Sequence, residues 1–283
     1  MDQRPLLNAL TIDVEDYFQV SAFAPHIARE SWEAMPCRVE RNMDKILQLL
    51  GESKTRATFF TLGWIAERYP ALVRRVLAEG HEVASHGYGH MRASDQKREE
   101  FLADVTRAKG LLEDIGGAAV TGYRAPSFSI GPRNLWALEC LQQAGYRYSS
   151  SIYPIRHDHY GMPDAPRFAY HPANAPGLLE LPITTIRMGG RNYPAGGGGY
   201  FRLLPYHFSR WCMRRVNRID RQACIFYFHP WELDVHQPRP EGVGFKTTFR
   251  HYTNLGRMEQ RLRALLQDFR WDRIDRIFLQ ETK

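Results

Sequence analysis

The sequence lacks the features of several specialised protein classes. No apolar run approaches the roughly 18 residues of a membrane-spanning helix, and the apolar stretch at the N-terminus is too short for a signal peptide and is followed at once by acids. The net charge is +7, but no block of about five to eight basic residues is present, so we expect no nucleic-acid partner. These absences lead us to expect a cytoplasmic protein without a membrane span.

Cysteine is also scarce, and repeats and low-complexity linkers are missing. No two of the four cysteines have the spacing of a CxxC motif, which argues against a disulfide framework or a cysteine zinc site. The one glycine run, at 196–199, is too short to tether two domains. With 283 residues, of which 43% are hydrophobic, the chain can bury a core of normal size.

Apolar runs that resemble buried strands alternate along the chain with amphipathic helical patterns. Alternation of this kind predicts βαβ units and a mostly parallel sheet. About seven units in a single domain favour a barrel over an open sheet. In both architectures the functional residues lie at the carboxyl ends of the strands. The predicted strands are 6–13, 57–62, 81–85, 121–124, 146–149, 178–182 and 224–228. The predicted helices are 39–50, 70–79, 101–115, 132–144, 211–219 and 255–269.

Polar residues follow four of these strands, and a shared sheet would bring them to one rim. The residues in question are Asp13, Glu15 and Asp16 after the first strand, His86 and His90 after the third, Arg124 and Pro126 after the fourth, and His229 with Trp231 and Glu232 after the seventh.

His86 and His90 form the first candidate for a metal site. Gly87 and Gly89 favour a loop, which can turn both imidazoles toward one ion, although two surface histidines in a turn remain the alternative. Two neutral imidazoles and one carboxylate leave positions open on a divalent ion, as catalytic zinc sites require.

The acids and the late histidine each allow a structural and a catalytic interpretation. The acids after the first strand could form a solvated turn or a helix cap, or one could bind the ion while another takes a proton from water. His229 could be a hydrogen-bonded core residue or a general acid. Arg124 could form a structural ion pair or hold the base carboxylate through a bidentate contact.

Taken together and in this order, these motifs resemble those of the polysaccharide deacetylases with a NodB-homology domain (carbohydrate esterase family four). The similarity extends over residues 6–232 and includes the Thr-Phe-Phe sequence at 58–60. It implies a distorted (β/α) barrel and a divalent metal, with Zn²⁺ as the expected ion.

The resemblance also implies roles for individual residues. Asp13 corresponds to the base, Arg124 to the residue that orients it, and His229 to the general acid. Metal ligation is implied for His86, His90 and one of Glu15 or Asp16. An extended backbone would keep Glu15 on the face of Asp13, but Asp16 is the commoner ligand type, and we lean slightly toward it. The substrate contacts that we expect are Tyr17, Pro126, Tyr200 and Trp231.

The chain departs from the family pattern beside the catalytic histidine. The family's Asp-Trp motif, which supports that histidine, is not evident where it is expected. We leave open whether Trp231, Glu232 or another group supports His229.

Longer segments resemble the deacetylase subfamily of exopolysaccharide loci that carry the exosortase (PEP-CTERM) system. These segments are TIDVEDYFQV, YRAPSFSI, SSSIYPIRHD, GGGYFRLLP, FHPWELD and FRHYTNL. The resemblance covers the whole chain and implies one domain over 1–283 with a subfamily-specific extension at about 233–283. The implied activity is removal of N-acetyl groups from sugar units of an exported polysaccharide or its precursor.

Two other functions remain open at this point. An amidohydrolase acting on a small cyclic ureide, as allantoinase does, would use the same site in a closed pocket. A carbohydrate-binding protein that has lost activity would have an incomplete metal site. A polymer substrate requires an open cleft, for which the glycine run at 196–199 and the loop 154–172 are the expected walls.

Overall fold

A parallel β-sheet organises the structure, a computed structural model that describes residues 6–158 and 160–279. The strands are β1 (Leu7–Val14), β2 (Thr58–Thr61), β3 (Glu82–Ser85), β4 (Gly122–Tyr123), β5 (Tyr148–Ser149), β6 (Leu179–Glu180), β7 (Thr185–Met188), β8 (Arg191–Pro194), β9 (Ile225–Phe228) and β10 (Arg270–Asp272). The α-helices are α1 (Val39–Glu52), α2 (Gly63–Arg68), α3 (Pro70–Ala78), α4 (Arg98–Gly116), α5 (Trp136–Gln143), α6 (Gly198–Leu203), α7 (Tyr206–Arg215), α8 (Phe245–Tyr252), α9 (Met258–Asp268) and α10 (Ile274–Phe278).

Seven parallel strands form a curled half-barrel in a single α/β domain. Strands β1 to β6 pair in chain order, and β9 pairs with β1. The short strand β10 joins the same sheet beside the beginning of β1, while β7 and β8 form a separate antiparallel hairpin. The prediction of a parallel α/β barrel with about seven strands is confirmed.

The two faces of the strands enter different apolar clusters, because side chains alternate along a strand. Leu10, Ile12 and Val14 of β1 pack with residues of α1, such as Met43 and Ile46, in the cluster between sheet and helices. Alternate residues face the interior of the barrel and pack in a second cluster, which contains Ala9, Phe60, Ala84, Ile225 and Tyr227. Asp13 lies on the same face of β1 as Ala9. His229, which directly follows β9, continues the face of Tyr227.

Parallel pairing places the carboxyl ends of the strands at one rim. Asp13 lies opposite Phe60, Thr61 lies opposite Ser85, and Ser85 lies opposite Tyr123. The polar segments that follow β1, β3, β4 and β9 therefore meet there, as the sequence pattern predicts.

The C-terminal segment is partly built into this sheet. Residues beyond 233 supply α8, α9, α10 and β10, of which β10 pairs with β1. The start of a subfamily-specific extension at about residue 233 stays a prediction. None of the helices that the structure describes combines the length and the apolarity needed to cross a bilayer.

Candidate active site

Glu15, His86 and His90 meet at the rim of the barrel. All three are buried, and each offers a ligand atom that lies within 4.8 Å of those of the other two. The Nε2 atom of His90 is 2.7 Å from Glu15 Oε2. The Nδ1 atom of His86 is 2.8 Å from the carbonyl oxygen of Arg124, which leaves its Nε2 as the nitrogen available to a ligand.

The chemistry of this donor set fits a divalent cation. Glu15 Oε2 is buried, and the ring nitrogen Nε2 of His90 lies 2.7 Å from it. Burial lowers the pKa of His86 to about 4, so its ring is neutral near pH 7, as metal ligation requires. Burial alone would raise the pKa of Glu15, but the charges of His90 and His229 bring it well below its ordinary value. An ionised carboxylate beside two imidazoles is a donor set that catalytic zinc sites use.

The backbone after β3 brings the two histidines together. Gly87 has a φ of 76° and His90 a φ of 55°, so the chain turns twice through the left-handed region within four residues. The two ring centroids are consequently 5.3 Å apart. A loop, and not a helix, therefore brings the two histidines of the HxxxH motif together, as its glycines indicate.

Asp16 does not lie with the histidine pair, because backbone amides occupy its carboxylate. Its Oδ1 accepts a hydrogen bond from Tyr17 N at 2.8 Å, and its Oδ2 accepts bonds from Arg38 N at 2.5 Å and Val39 N at 2.8 Å. The latter two amides lie at the beginning of α1. This geometry favours Glu15 over Asp16 as the metal carboxylate, against the slight preference from the sequence.

A buried arginine fixes Asp13. Arg124 Nη1 lies 2.6 Å from Asp13 Oδ1, and its Nε and Nη2 donate to the carbonyl and hydroxyl oxygens of Ser150. The guanidinium is fully buried and lies over the ring of Phe60. Because Oδ1 is engaged, Oδ2 is the oxygen that remains for chemistry.

His229 faces the same cluster from the end of β9, the strand that pairs with β1. Its Nε2 lies 3.6 Å from Glu15 Oε1 and 3.9 Å from Asp13 Oδ2, and 19% of its side chain is exposed. Its Nδ1 lies 2.9 Å from Glu232 Oε1. Burial alone would lower the pKa of His229, but the carboxylates of Glu15, Glu232 and Asp13 raise it to about 9.

A second buried arginine holds the carboxylate behind His229. Arg202 Nε donates to Glu232 Oε2 at 2.6 Å. Burial alone would raise the pKa of Glu232, but Arg202 and His229 lower it to about 2, so this carboxylate is ionised. Sequence analysis named Glu232 as one of the residues that could support His229. It missed Arg202, because nothing in the neighbouring sequence distinguishes this residue from a surface arginine.

Trp231 connects this group to the C-terminal segment. Its indole stacks with His229 at 5.0 Å and with His251 of α8 at 4.1 Å, and its Nε1 donates to Glu15 Oε1 at 3.1 Å. His251 in turn lies 2.7 Å from Gln237 Oε1. Sequence reasoning missed His251 as well, since a single histidine in a helical pattern gives no signal.

An open cleft of about 670 Å³ is lined by Asp13, Glu15, His86, His90 and His229. His157 and Tyr160, from the loop that was expected to form a wall, lie in its lining, as do Thr247 and Arg250 of α8. Trp231 also lines it. The glycine run at 196–199 is not part of the lining.

Three of the expected substrate contacts lie away from this cleft. Tyr17 is fully buried and packs edge-on against Phe18, and Pro126 is buried as well. Tyr200 is half-buried on α6 and lines a different, small pocket. The structure therefore brings only Trp231 of the four to the cleft, because the others serve packing.

Two family matches divide the chain. Residues 31–149 match the family described as Polysaccharide deacetylase, and residues 150–279 match a Domain of unknown function, DUF3473. His86, His90 and Arg124 lie in the first segment and His229 in the second.

Curated relatives are similar over shorter stretches. A Peptidoglycan-N-acetylglucosamine deacetylase from Bacillus cereus is 33% identical over 96 residues, which cover 34% of this chain and 35% of the relative. A Chitooligosaccharide deacetylase from Azorhizobium caulinodans is 33% identical over 82 residues, covering 29% of this chain and 39% of the relative. The matched stretches thus span only 35% and 39% of these relatives' own lengths.

The fold has a solved counterpart over almost its whole length. A structure from Mycobacterium smegmatis that is assigned as a polysaccharide deacetylase superposes with a TM-score of 0.63 at 18% identity. The superposition covers 98% of this chain and 90% of that chain. It supports the architecture described above.

Proposed function

We propose, for a chain whose residues 31–149 match the polysaccharide deacetylase family, that the protein is a metal-dependent hydrolase that removes N-acetyl groups from sugar units of an exopolysaccharide or its precursor. The activities for which these curated relatives are named support sugar N-deacetylation as the reaction. The observation that carries the proposal is the placement of Asp13 and His229, which approach one Glu15–His86–His90 cluster from two strands.

Glu15, His86 and His90 would hold the divalent ion, with Zn²⁺ as the first candidate. When bound, such an ion polarises the amide carbonyl and makes water a nucleophile near pH 7. All three side chains are buried, and they meet at the floor of the cleft.

Asp13 is the proposed general base. Its Oδ2 faces the cluster and can accept the proton of the attacking water. Arg124 holds the other oxygen at 2.6 Å and is itself fixed by Ser150, so the carboxylate keeps one orientation. Arg124 is therefore a positioning residue.

His229 is the proposed general acid. Glu232 accepts the Nδ1 proton at 2.9 Å, which directs Nε2 toward Asp13 and Glu15 at the rim. A proton on Nε2 can be transferred to the sugar nitrogen as the C–N bond breaks, because nitrogen leaves far more readily as a neutral amine than as an amide anion.

The cleft is proposed to take a sugar chain, with Trp231 as one wall. Its open form suits a polymer, whereas a small ureide would be held in a closed pocket. The shared site chemistry still makes a cyclic ureide worth testing.

The test is acetate release from N-acetylated chito-oligosaccharides by the Zn²⁺-loaded protein, with allantoin hydrolysis measured in parallel. We expect acetate and a deacetylated sugar, and no turnover of allantoin. Hydrolysis of allantoin without acetate release from any N-acetyl sugar would overturn the proposal. The His229→Ala protein, purified in the same way, controls for contaminating deacetylases.

A further inference from the structure

Three arginines that the proposed reaction does not use line the same cleft as the metal ligands. Arg29 comes from the segment after β1, Arg92 from the loop after β3, and Arg250 from α8. Arg29 and Arg250 are exposed, and Arg92 is half-buried. Three separate parts of the chain thus bring a guanidinium group to one concave surface.

The position of Arg29 relates this charge to the metal site. A Cβ atom on Gly89 would collide with Arg29 Nη1, so the guanidinium lies directly against the backbone beside His90. Its carbon Cζ lies over the ring of Trp32 at 4.8 Å, which supports the side chain in this position. Arg92 follows His90 by two residues in the same loop.

Within residues 6–158 and 160–279, none of the three guanidinium groups forms an ion pair at contact distance or a side-chain hydrogen bond. Carboxylates lie farther away, since Asp104 and Glu30 interact with the charge of Arg29, and Arg250 interacts with that of Asp158. Asp95 also lines the cleft, but its carboxylate accepts a hydrogen bond from Ser94 and pairs with none of them. By contrast, the arginines on the outer face of α7 share Asp268, and Arg167 pairs with Asp220.

We propose that the cleft binds an N-acetylated sugar that carries an anionic group, a carboxylate or a phosphate. The guanidinium fork matches both groups through paired, charge-assisted hydrogen bonds. Asp13, Glu15 and Asp95 also line the cleft, so the proposed preference depends on direct contact between the anion and the guanidinium groups. This inference rests on the proposed function, since it names the substrate class of the same site.

The experiment compares three probes of similar size on the Zn²⁺-loaded protein. N-acetylglucosamine is the neutral probe, N-acetylmuramic acid carries a carboxylate, and N-acetylglucosamine 1-phosphate carries a phosphate. Calorimetry gives the dissociation constants without requiring turnover. We expect at least one anionic probe to bind about tenfold more tightly than the neutral sugar, or better, and the preference to shrink as salt is added.

Single substitutions separate the arginines from the metal as the source of this preference. Arg29→Gln, Arg92→Gln and Arg250→Gln should each reduce the ratio between anionic and neutral binding. Arg218→Gln is the matched control, because Arg218 is exposed on the outer surface beyond α7 and lines no part of this cleft. The carboxylate and phosphate arms show which anion the cleft takes.

Equal binding of all three probes would overturn the inference, and so would a preference that all three arginine variants retain, since the metal would then hold the anion. Failure of the proposed function has a different signature. In that case no N-acetyl sugar releases acetate, while the arginine-dependent preference for the anionic probe persists.

Discussion

The three carboxylates at the end of β1 have three different environments. The backbone conformation decides which environment each side chain enters. Asp13 faces Arg124 inside the barrel, Glu15 faces the two histidines, and Asp16 turns back to the amides at the beginning of α1. The proposed division into base, ligand and cap follows from these contacts.

Asp13→Asn should retain the fold and the metal but lose about 10²–10⁴-fold in kcat. The amide has nearly the same size as the carboxylate but cannot accept the proton of the attacking water. The rate of acetate release, measured together with the metal content of the same preparation, checks this expectation. A variant that holds its metal and turns over at the normal rate would show that Asp13 is not the base.

A pair of neighbouring variants distinguishes the ligand from the cap. Glu15→Gln should lose most of its bound metal, whereas Asp16→Asn should keep it. Asp16→Asn should instead lower the free energy of unfolding by about 1–3 kcal/mol, because one of its oxygens no longer accepts the backbone amides that it now serves. Metal analysis and denaturant unfolding of both proteins give the answer. The reverse pattern, with metal lost only from the Asp16 variant, would make Asp16 the ligand.

The sequence predicts the position of the histidines and the arginine of this site better than it predicts which acid joins the two histidines. His86, His90, Arg124 and His229 follow strands of a parallel sheet, so their meeting at one rim follows from topology. The choice between Glu15 and Asp16 depends on amides more than twenty residues away in the sequence, which no local pattern reveals. Tyr17 and Tyr200 were expected at the cleft, but they pack elsewhere. The sequence alone does not distinguish a tyrosine that stacks on a sugar from one that packs inside the protein.

The glycine run at 196–199 packs against Glu232, the partner of His229, and does not line the cleft. It begins α6, and a Cβ on Gly198 would collide with the carboxylate of Glu232. Arg202, from the same short helix, donates to that carboxylate. Helix α6 therefore positions Glu232, and through it His229.

Gly198→Ala should impair the general acid more than the rest of the site. The added methyl group displaces Glu232, so His229 loses the acceptor that orients its ring. Hydrolysis of an acetamide, which needs a protonated leaving amine, should fall much more than hydrolysis of 4-nitrophenyl acetate, whose leaving group needs no proton. The ratio of the two rates is the measurement.

Gly199→Ala is the control, because a Cβ at Gly199 meets no atom within 4 Å. It should leave both rates unchanged, and its added methyl group should favour the helix slightly. An equal loss of both reactions in Gly198→Ala would indicate general damage to the fold and would contradict the positioning role.

Helices with a long periodic pattern were predictable, and elements defined by distant partners were not. Helices α1, α3, α4 and α9 lie close to the predicted positions, because their apolar residues repeat at helical spacing and bury one face. Strand β10 has three residues, and its register exists only through β1. Helix α8, which was missed, has eight residues, and only His251 among them is buried. Its aromatic residues Phe245 and Phe249 are exposed, so the helix lacks the buried apolar face that marks the others.

The two matched segments of the chain form one sheet and one site. Strands β2 to β5 lie in residues 31–149, whereas β6, β9 and β10 lie in residues 150–279, and all pair into the same sheet. The first segment provides the histidine pair and Arg124, and the second provides His229, Glu232 and Arg202. Because each segment holds part of the proposed machinery, activity belongs to the whole chain and should be measured on it.

The most direct test of metal-dependent deacetylation follows acetate release from an N-acetylated chito-oligosaccharide through one cycle of metal removal and return. We expect the rate to fall to background when a chelator removes the metal and to recover when Zn²⁺ is added back in a one-to-one ratio. We expect no recovery for Glu15→Gln under the same conditions. Acetate release that continues at the full rate in the metal-free protein would show that the reaction does not depend on a metal.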